Sequence, residues 1–88
     1  MAKFGEVNFK LGWLDRNTHG LWEKDGTITV NPIPDLVDTI IHELLHDLNP
    51  NLTERQIRAK TKRLMDQLTD DEMLTIYKEF QDRAQESL

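Results

Sequence analysis

The order of patterns along the chain predicts an α+β fold: a small N-terminal antiparallel sheet of about three strands, then three helices packed on one of its faces. Three observations carry this reading. Up to Asn31, apolar and polar residues alternate with the period of strands that have one buried face. Asn31-Pro32-Ile33-Pro34 then interrupts the alternation, because prolines so close together cannot continue a hydrogen-bonded ladder. Beyond Pro34 the apolar residues recur at helical spacing. Turn-forming clusters at Asn49-Pro50-Asn51 and Thr69-Asp70-Asp71-Glu72 divide that region into three helices.

Val7, Phe9, Leu11 and Trp13 alternate with Glu6, Asn8, Lys10 and Gly12 and define the first strand. Residues 15–20 carry turn chemistry, and Leu21-Trp22-Glu23 resumes the apolar pattern. Lys24-Asp25-Gly26 breaks it again, and Asp25-Gly26 predicts a tight hairpin because both residues tolerate positive φ. Thr27-Ile28-Thr29-Val30-Asn31 is the third strand, with Ile28 and Val30 inward. Asp35 is placed to cap the first helix, which is expected over 35–48 with Asp38 at its third position as a weak capping box. Thr53 caps a second helix over 53–68 with Ile57, Leu64, Met65 and Leu68 on one stripe. A third, over 70–86, carries Met73, Ile76, Tyr77, Phe80 and Ala84, and residues 85–88 are expected to fray. The whole chain, 1–88, reads as a single minimal domain.

A chain of 88 residues buries only about 60–65% of its unfolded surface, so a bound metal would contribute to its folding. The net charge of −5 argues against a general nucleic-acid binder. Arg55, Arg58, Lys60, Lys62 and Arg63 on the second helix therefore read as a solvated outer face rather than a nucleic-acid contact. No apolar run approaches the roughly 18 residues of a membrane span, and the N-terminus does not resemble a signal peptide. A cytoplasmic protein with no membrane partner is expected. With no cysteine in the chain, any metal must be held by imidazoles and carboxylates.

The middle helix holds such groups. Ile40, Ile41, Leu44, Leu45 and Leu48 predict that it is buried over much of its circumference, where unpaired polar side chains are costly, yet His42, Glu43 and His46 sit among them. Histidines at this spacing lie about 40° apart around a helix, so both rings can lean over one spot on its surface. Glu43 is swung off that line, better placed to touch a water on a metal than the metal itself. This is the HExxH pattern of zinc metallopeptidases. The plainer reading is that both imidazoles edge a core helix and bond to nearby carbonyls.

A catalytic zinc takes three protein ligands and keeps a further position for water. Glu54 is the best third ligand, because the Asn-Pro turn doubles the chain back and puts it in the first turn of the next helix. A carboxylate there would also favour the helix dipole, whether or not it binds metal. His19 is a minor candidate, and Asp66, Asp70 and Glu72 lie further off. Glu43 would act as general base and acid on the attacking water. Asp38, one turn before His42, could orient that imidazole through its free N–H, or serve only as a cap. Tyr77 could donate its phenol to a developing oxyanion, although an aromatic residue on an apolar stripe more often belongs to the core.

Gly20-Leu21-Trp22, Thr27-Ile28-Thr29-Val30-Asn31-Pro32, Thr39-Ile40-Ile41-His42-Glu43-Leu44-Leu45-His46 and Pro50-Asn51-Leu52-Thr53-Glu54 together resemble the minimal single-domain zincins of prokaryotes and phages, the minigluzincins. The resemblance covers about residues 20–68, and its central motif is the specific part. It implies a Zn2+-dependent peptidase acting on peptide or protein substrates, with a small sheet, an active-site helix and a glutamate-bearing helix. By motif position it assigns His42 and His46 as ligands and Glu43 as general base, and it favours Glu54 as third ligand. Larger gluzincins place that glutamate further downstream and carry a C-terminal subdomain with no counterpart here. Minimal members can be held latent by their own terminal segments, which draws attention to 69–88. The competing reading is a zinc-binding regulatory module that does not cut.

Overall fold

The computed structural model describes residues 7–84, and its elements run in the order β1 (Phe9–Leu11), β2 (Gly20–Trp22), β3 (Ile28–Val30), α1 (Ile33–Leu48), α2 (Glu54–Gln67) and α3 (Asp70–Ala84). This is the small α+β fold that the sequence predicts. The chain forms two compact units, Met1–Pro34 and Asp35–Leu88. Among the described residues no helix is long and apolar enough to cross a membrane.

The sheet is mixed rather than antiparallel, with strand order β1-β3-β2. A hairpin forms at Asp25-Gly26, but not as a two-residue turn with both residues at positive φ: the Glu23 amide donates to the Thr27 carbonyl at 2.9 Å around a three-residue loop, and of the loop residues only Gly26 takes positive φ. β2 pairs antiparallel with β3, Gly26 takes φ +91°, and its amide donates to the Glu23 carbonyl at 2.8 Å. β1, however, runs parallel to β3, with Phe9 opposite Ile28 and Leu11 opposite Val30. The physical reason lies between β1 and β2, where a longer connection carries β2 past β3 to its far edge. Buried Asn31 fixes that connection, its Nδ2 donating to the carbonyls of Asp15 (2.8 Å) and Thr18 (3.0 Å). Asp15 tightens the turn further, accepting from the Asn17 amide and the Thr18 hydroxyl at 2.8 Å each. Those bonds hold its carboxyl below the usual carboxylate range. The register puts Phe9, Leu11, Trp22, Ile28 and Val30 on one face, and Val30 is exposed rather than inward.

α1 begins at Ile33, before the expected cap at Asp35. The first amides of a helix have no partner within it, so Pro34 loses nothing by lacking one there. The Asn31 side chain accepts from the Ile33 amide at 3.3 Å. Asp35 therefore lies in the first turn, where its charge suits the dipole, and Asp38 falls beyond the capping positions. The helix buries one stripe, Ile33, Val37 and Ile41, at successive steps of one turn. Leu44 and Leu48 are 54% and 73% exposed, so α1 is amphipathic rather than buried most of the way round.

Thr53 starts α2 with a reciprocal box. Its hydroxyl accepts from the Gln56 amide at 3.2 Å, and its own amide donates to Gln56 Oε1 at 2.9 Å. The buried line of α2 runs from Ile57 to Thr61, whose hydroxyl donates to the Ile57 carbonyl at 2.8 Å and so carries no unpaired polar group inward. Met65 and Leu68 continue that line half-buried, and Leu64 is left exposed at its margin. α3 starts on a second box, between Thr69 and Glu72, and buries only Met73 fully. Ile76 and Tyr77 are half-buried and Phe80 is exposed. The last positions expected for this helix, and the fraying expected over 85–88, lie outside the described residues. Among the described residues the apolar core of the helical unit is thus small: Val37, Ile41, Ile57 and Met73.

Candidate metal centre

Two local devices bring the site together. Helical spacing in α1 places the His42 and His46 rings with centroids 4.9 Å apart and planes at 68°. The chain then stops and turns. The Asn49 amide and side-chain Nδ2 both donate to the Leu45 carbonyl (2.9 and 3.1 Å), and the Leu52 amide donates back to the Asn49 carbonyl at 3.1 Å. Thr53 caps α2 immediately afterwards, so Glu54 becomes its first residue. Its position is set by backbone bonds in the turn and by the cap, not by the reach of a flexible loop.

The Glu54 carboxylate straddles both rings. Oε1 lies 2.8 Å from His42 Nε2, and Oε2 lies 2.7 Å from His46 Nε2. Arg58, one turn along α2, donates from Nε to Oε1 at 3.3 Å. Partial desolvation pushes the Glu54 carboxyl up. The hydrogen bonds from His46 and Arg58, with the nearby charge of both imidazoles, outweigh it and hold the group below the ordinary glutamate range. Glu54 is thus ionised at neutral pH and can accept a hydrogen bond from each Nε2.

His42, His46 and Glu54 form a group that can hold a metal ion, one donor atom from each lying within 4.8 Å of the others. The donor chemistry is that of a three-ligand site of imidazoles and a carboxylate. Tetrahedral coordination with bonds of 2.0–2.1 Å separates neighbouring ligand atoms by about 3.3 Å. The separations of 2.7 and 2.8 Å from the two Glu54 oxygens to the imidazole nitrogens are hydrogen-bond distances, so to bind an ion the carboxylate would have to draw back from both rings. At 51% exposure the Glu54 side chain has room for it.

The group borders a cleft of about 530 Å³ between α1 and α2. Asp38 and Glu43 of α1 line it beside His42, and Arg58, Thr61 and Lys62 of α2 line it beside Glu54. Glu43 opens to the cleft but is not one of the three clustered donors. Asp38 shares the cleft, but no hydrogen bond joins it to His42 among the described residues. Tyr77 does not line the cleft, and its hydroxyl accepts instead from Gln81 Nε2 at 3.0 Å. His19, Asp66, Asp70 and Glu72 are not members of the cluster, and Glu72 is engaged in the α3 cap. Sequence reasoning missed Arg58 and Lys62, which it set on a solvated outer face. The available signal was their spacing, one and two turns after Glu54 on the same side of α2.

Compared with known proteins, the chain matches no family model, no curated protein and no solved structure.

Proposed function

We propose that this chain is a zinc-dependent metallopeptidase of the minimal zincin kind that its motif resembles. The observation that carries the reading is the closure of Glu54 onto both imidazoles of the HExxH sequence, with Glu43 lining the adjoining cleft. His42, His46 and Glu54 would hold the ion, and two imidazoles with one carboxylate are a donor set that zinc takes in catalytic sites. When bound, zinc supplies a Lewis acid that lowers the pKa of a coordinated water to about 7 and polarises a carbonyl.

The rest is done by the chain. Glu43 lies about 100° around α1 from His42, off the ligand line, so its carboxylate is free to face substrate. It accepts the proton of the attacking water on a carboxylate oxygen and returns it to the leaving amine nitrogen. Arg58 holds the Glu54 carboxylate from the α2 side through the hydrogen bond at 3.3 Å. The cap at Thr53 and the turn at Asn49 hold the third ligand against the helix that carries the other two.

Zinc content and hydrolysis of a broad peptide library, measured on wild type and Glu43→Gln, test the reading. The wild type should carry one zinc per chain and cleave. The variant should carry the same zinc and lose a factor of about 10²–10⁴ in rate, the usual contribution of a general base. A wild-type protein that carries stoichiometric zinc and cleaves nothing is a binding module, and the proposal fails.

A further inference from the structure

Of the two basic side chains on the cleft side of α2, Lys62 has no part in the chemistry above, and Arg58 enters it only through Glu54. Arg58 and Lys62 are one turn apart and line the same cleft as His42 and Glu43. They differ in engagement. Arg58 spends its Nε on Glu54 and keeps its remaining guanidinium N–H groups. Lys62 has no ion pair among the described residues.

We infer that Arg58 and Lys62 form a subsite for one carboxylate of the substrate, making the preferred substrates acidic peptides. The inference rests on the peptidase reading of the same cleft. Charge balance selects the ligand. Arg58 meets Glu54 through Nε alone, which leaves the Lys62 ammonium with spare guanidinium donors beside it. One carboxylate fits that count, accepting a charge-assisted hydrogen bond from Lys62 Nζ and a second from the Arg58 fork. Asp38 and Glu43 on the opposite wall repel a multiply charged phosphate chain more strongly than a single carboxylate. The carboxylate could be an aspartate or glutamate side chain near the scissile bond, or the C-terminus of a short peptide.

The test is a binding measurement that does not depend on cleavage. Zinc-supplemented protein carrying Glu43→Gln is titrated calorimetrically with blocked peptides that differ only by Glu against Gln, and with a second pair that differs by a free or amidated C-terminus. The acidic member of at least one pair should bind about tenfold more tightly at low ionic strength, with the margin shrinking as salt is raised. The pair that shows the margin identifies the source of the carboxylate. Adding Lys62→Gln should reduce the ratio to about twofold, and Lys62→Glu should invert it. Lys62 is the residue to change because replacing Arg58 would also disturb Glu54.

Equal binding within both pairs, a preference that survives Lys62→Glu, or a single-stranded oligonucleotide that outcompetes the acidic peptide would each overturn the subsite. The two proposals separate cleanly. Acid-selective binding by a wild-type protein that cuts nothing defeats only the peptidase reading. Cleavage of acidic and neutral peptides at equal efficiency defeats only the subsite.

Discussion

Replacing Glu54 by Gln is the sharpest test of the metal centre, because the carboxylate meets both rings and its loss should appear as lost metal-dependent stability. A ligand that binds only the folded state at a free concentration of one hundred times its Kd adds about 2.7 kcal/mol. For a domain of this size each kcal/mol moves Tm by about 4–8 °C, so saturating zinc should raise the wild-type Tm by about 11–22 °C. Removing one of three ligands should weaken binding by about a hundredfold or more, as severe as the larger losses on removing mere supporting groups. At the same free zinc the variant is then at its Kd, and the shift shrinks to about 2–3 °C. Glu43→Gln, outside the cluster, should keep the wild-type shift. The assay is thermal unfolding by circular dichroism in zinc-buffered solution, with chelator as the metal-free reference. A Glu54→Gln protein with the full wild-type shift, or a wild type with none, would refute the assignment.

Three further outcomes follow from the fold. Ile57→Ala, at a fully buried side chain, should cost about 2–4 kcal/mol in denaturant unfolding, whereas Leu48→Ser at a site 73% exposed should stay within about 0.5 kcal/mol. Thr53→Ala removes the hydroxyl acceptor of the α2 box and should cost about 1 kcal/mol; because Glu54 follows directly, zinc affinity measured by competition with a chromophoric chelator should fall with it. The Glu72 carboxyl is held below its ordinary value of 4.5 by hydrogen bonds from the Thr69 amide and hydroxyl, so its contribution is present above that pH and is lost as pH falls through the lower folded value. Thermal unfolding of Glu72→Gln should therefore show a flatter decline below pH 4.5 than the wild type; identical slopes would contradict it.

What the sequence made legible was local. The hairpin at Asp25-Gly26 and the box at Thr53 are settled by residues within a few positions of one another, and the paired imidazoles of α1 follow from helix geometry alone. The features that escaped it depend on partners far along the chain. Nothing in Phe9-Lys10-Leu11 announces that it will lie parallel to Ile28-Thr29-Val30, since alternation specifies a face and not a neighbour. The early start of α1 depends on the Asn31 side chain, which also holds the carbonyls of Asp15 and Thr18. Leu44 and Leu48 carry the same apolar signal as Ile41, and only the packed structure shows that they remain uncovered.

The position of Glu54 lies between these cases. Its closeness in sequence to His46 made it a candidate, but sequence could not separate a ligand from an acid that merely suits a helix start. The geometry adds that an acid at this helix start also meets both imidazoles. The turn that satisfies the end of α1 and the box that satisfies the start of α2 leave a single residue facing back along the first helix, and its carboxylate reaches both Nε2 atoms. A small helical unit whose buried apolar side chains among the described residues are Val37, Ile41, Ile57 and Met73 has little core with which to fix the angle between α1 and α2. An ion held by two imidazoles on one helix and a carboxylate on the next would supply that constraint, so the group proposed for the chemistry would also be a principal brace of the fold.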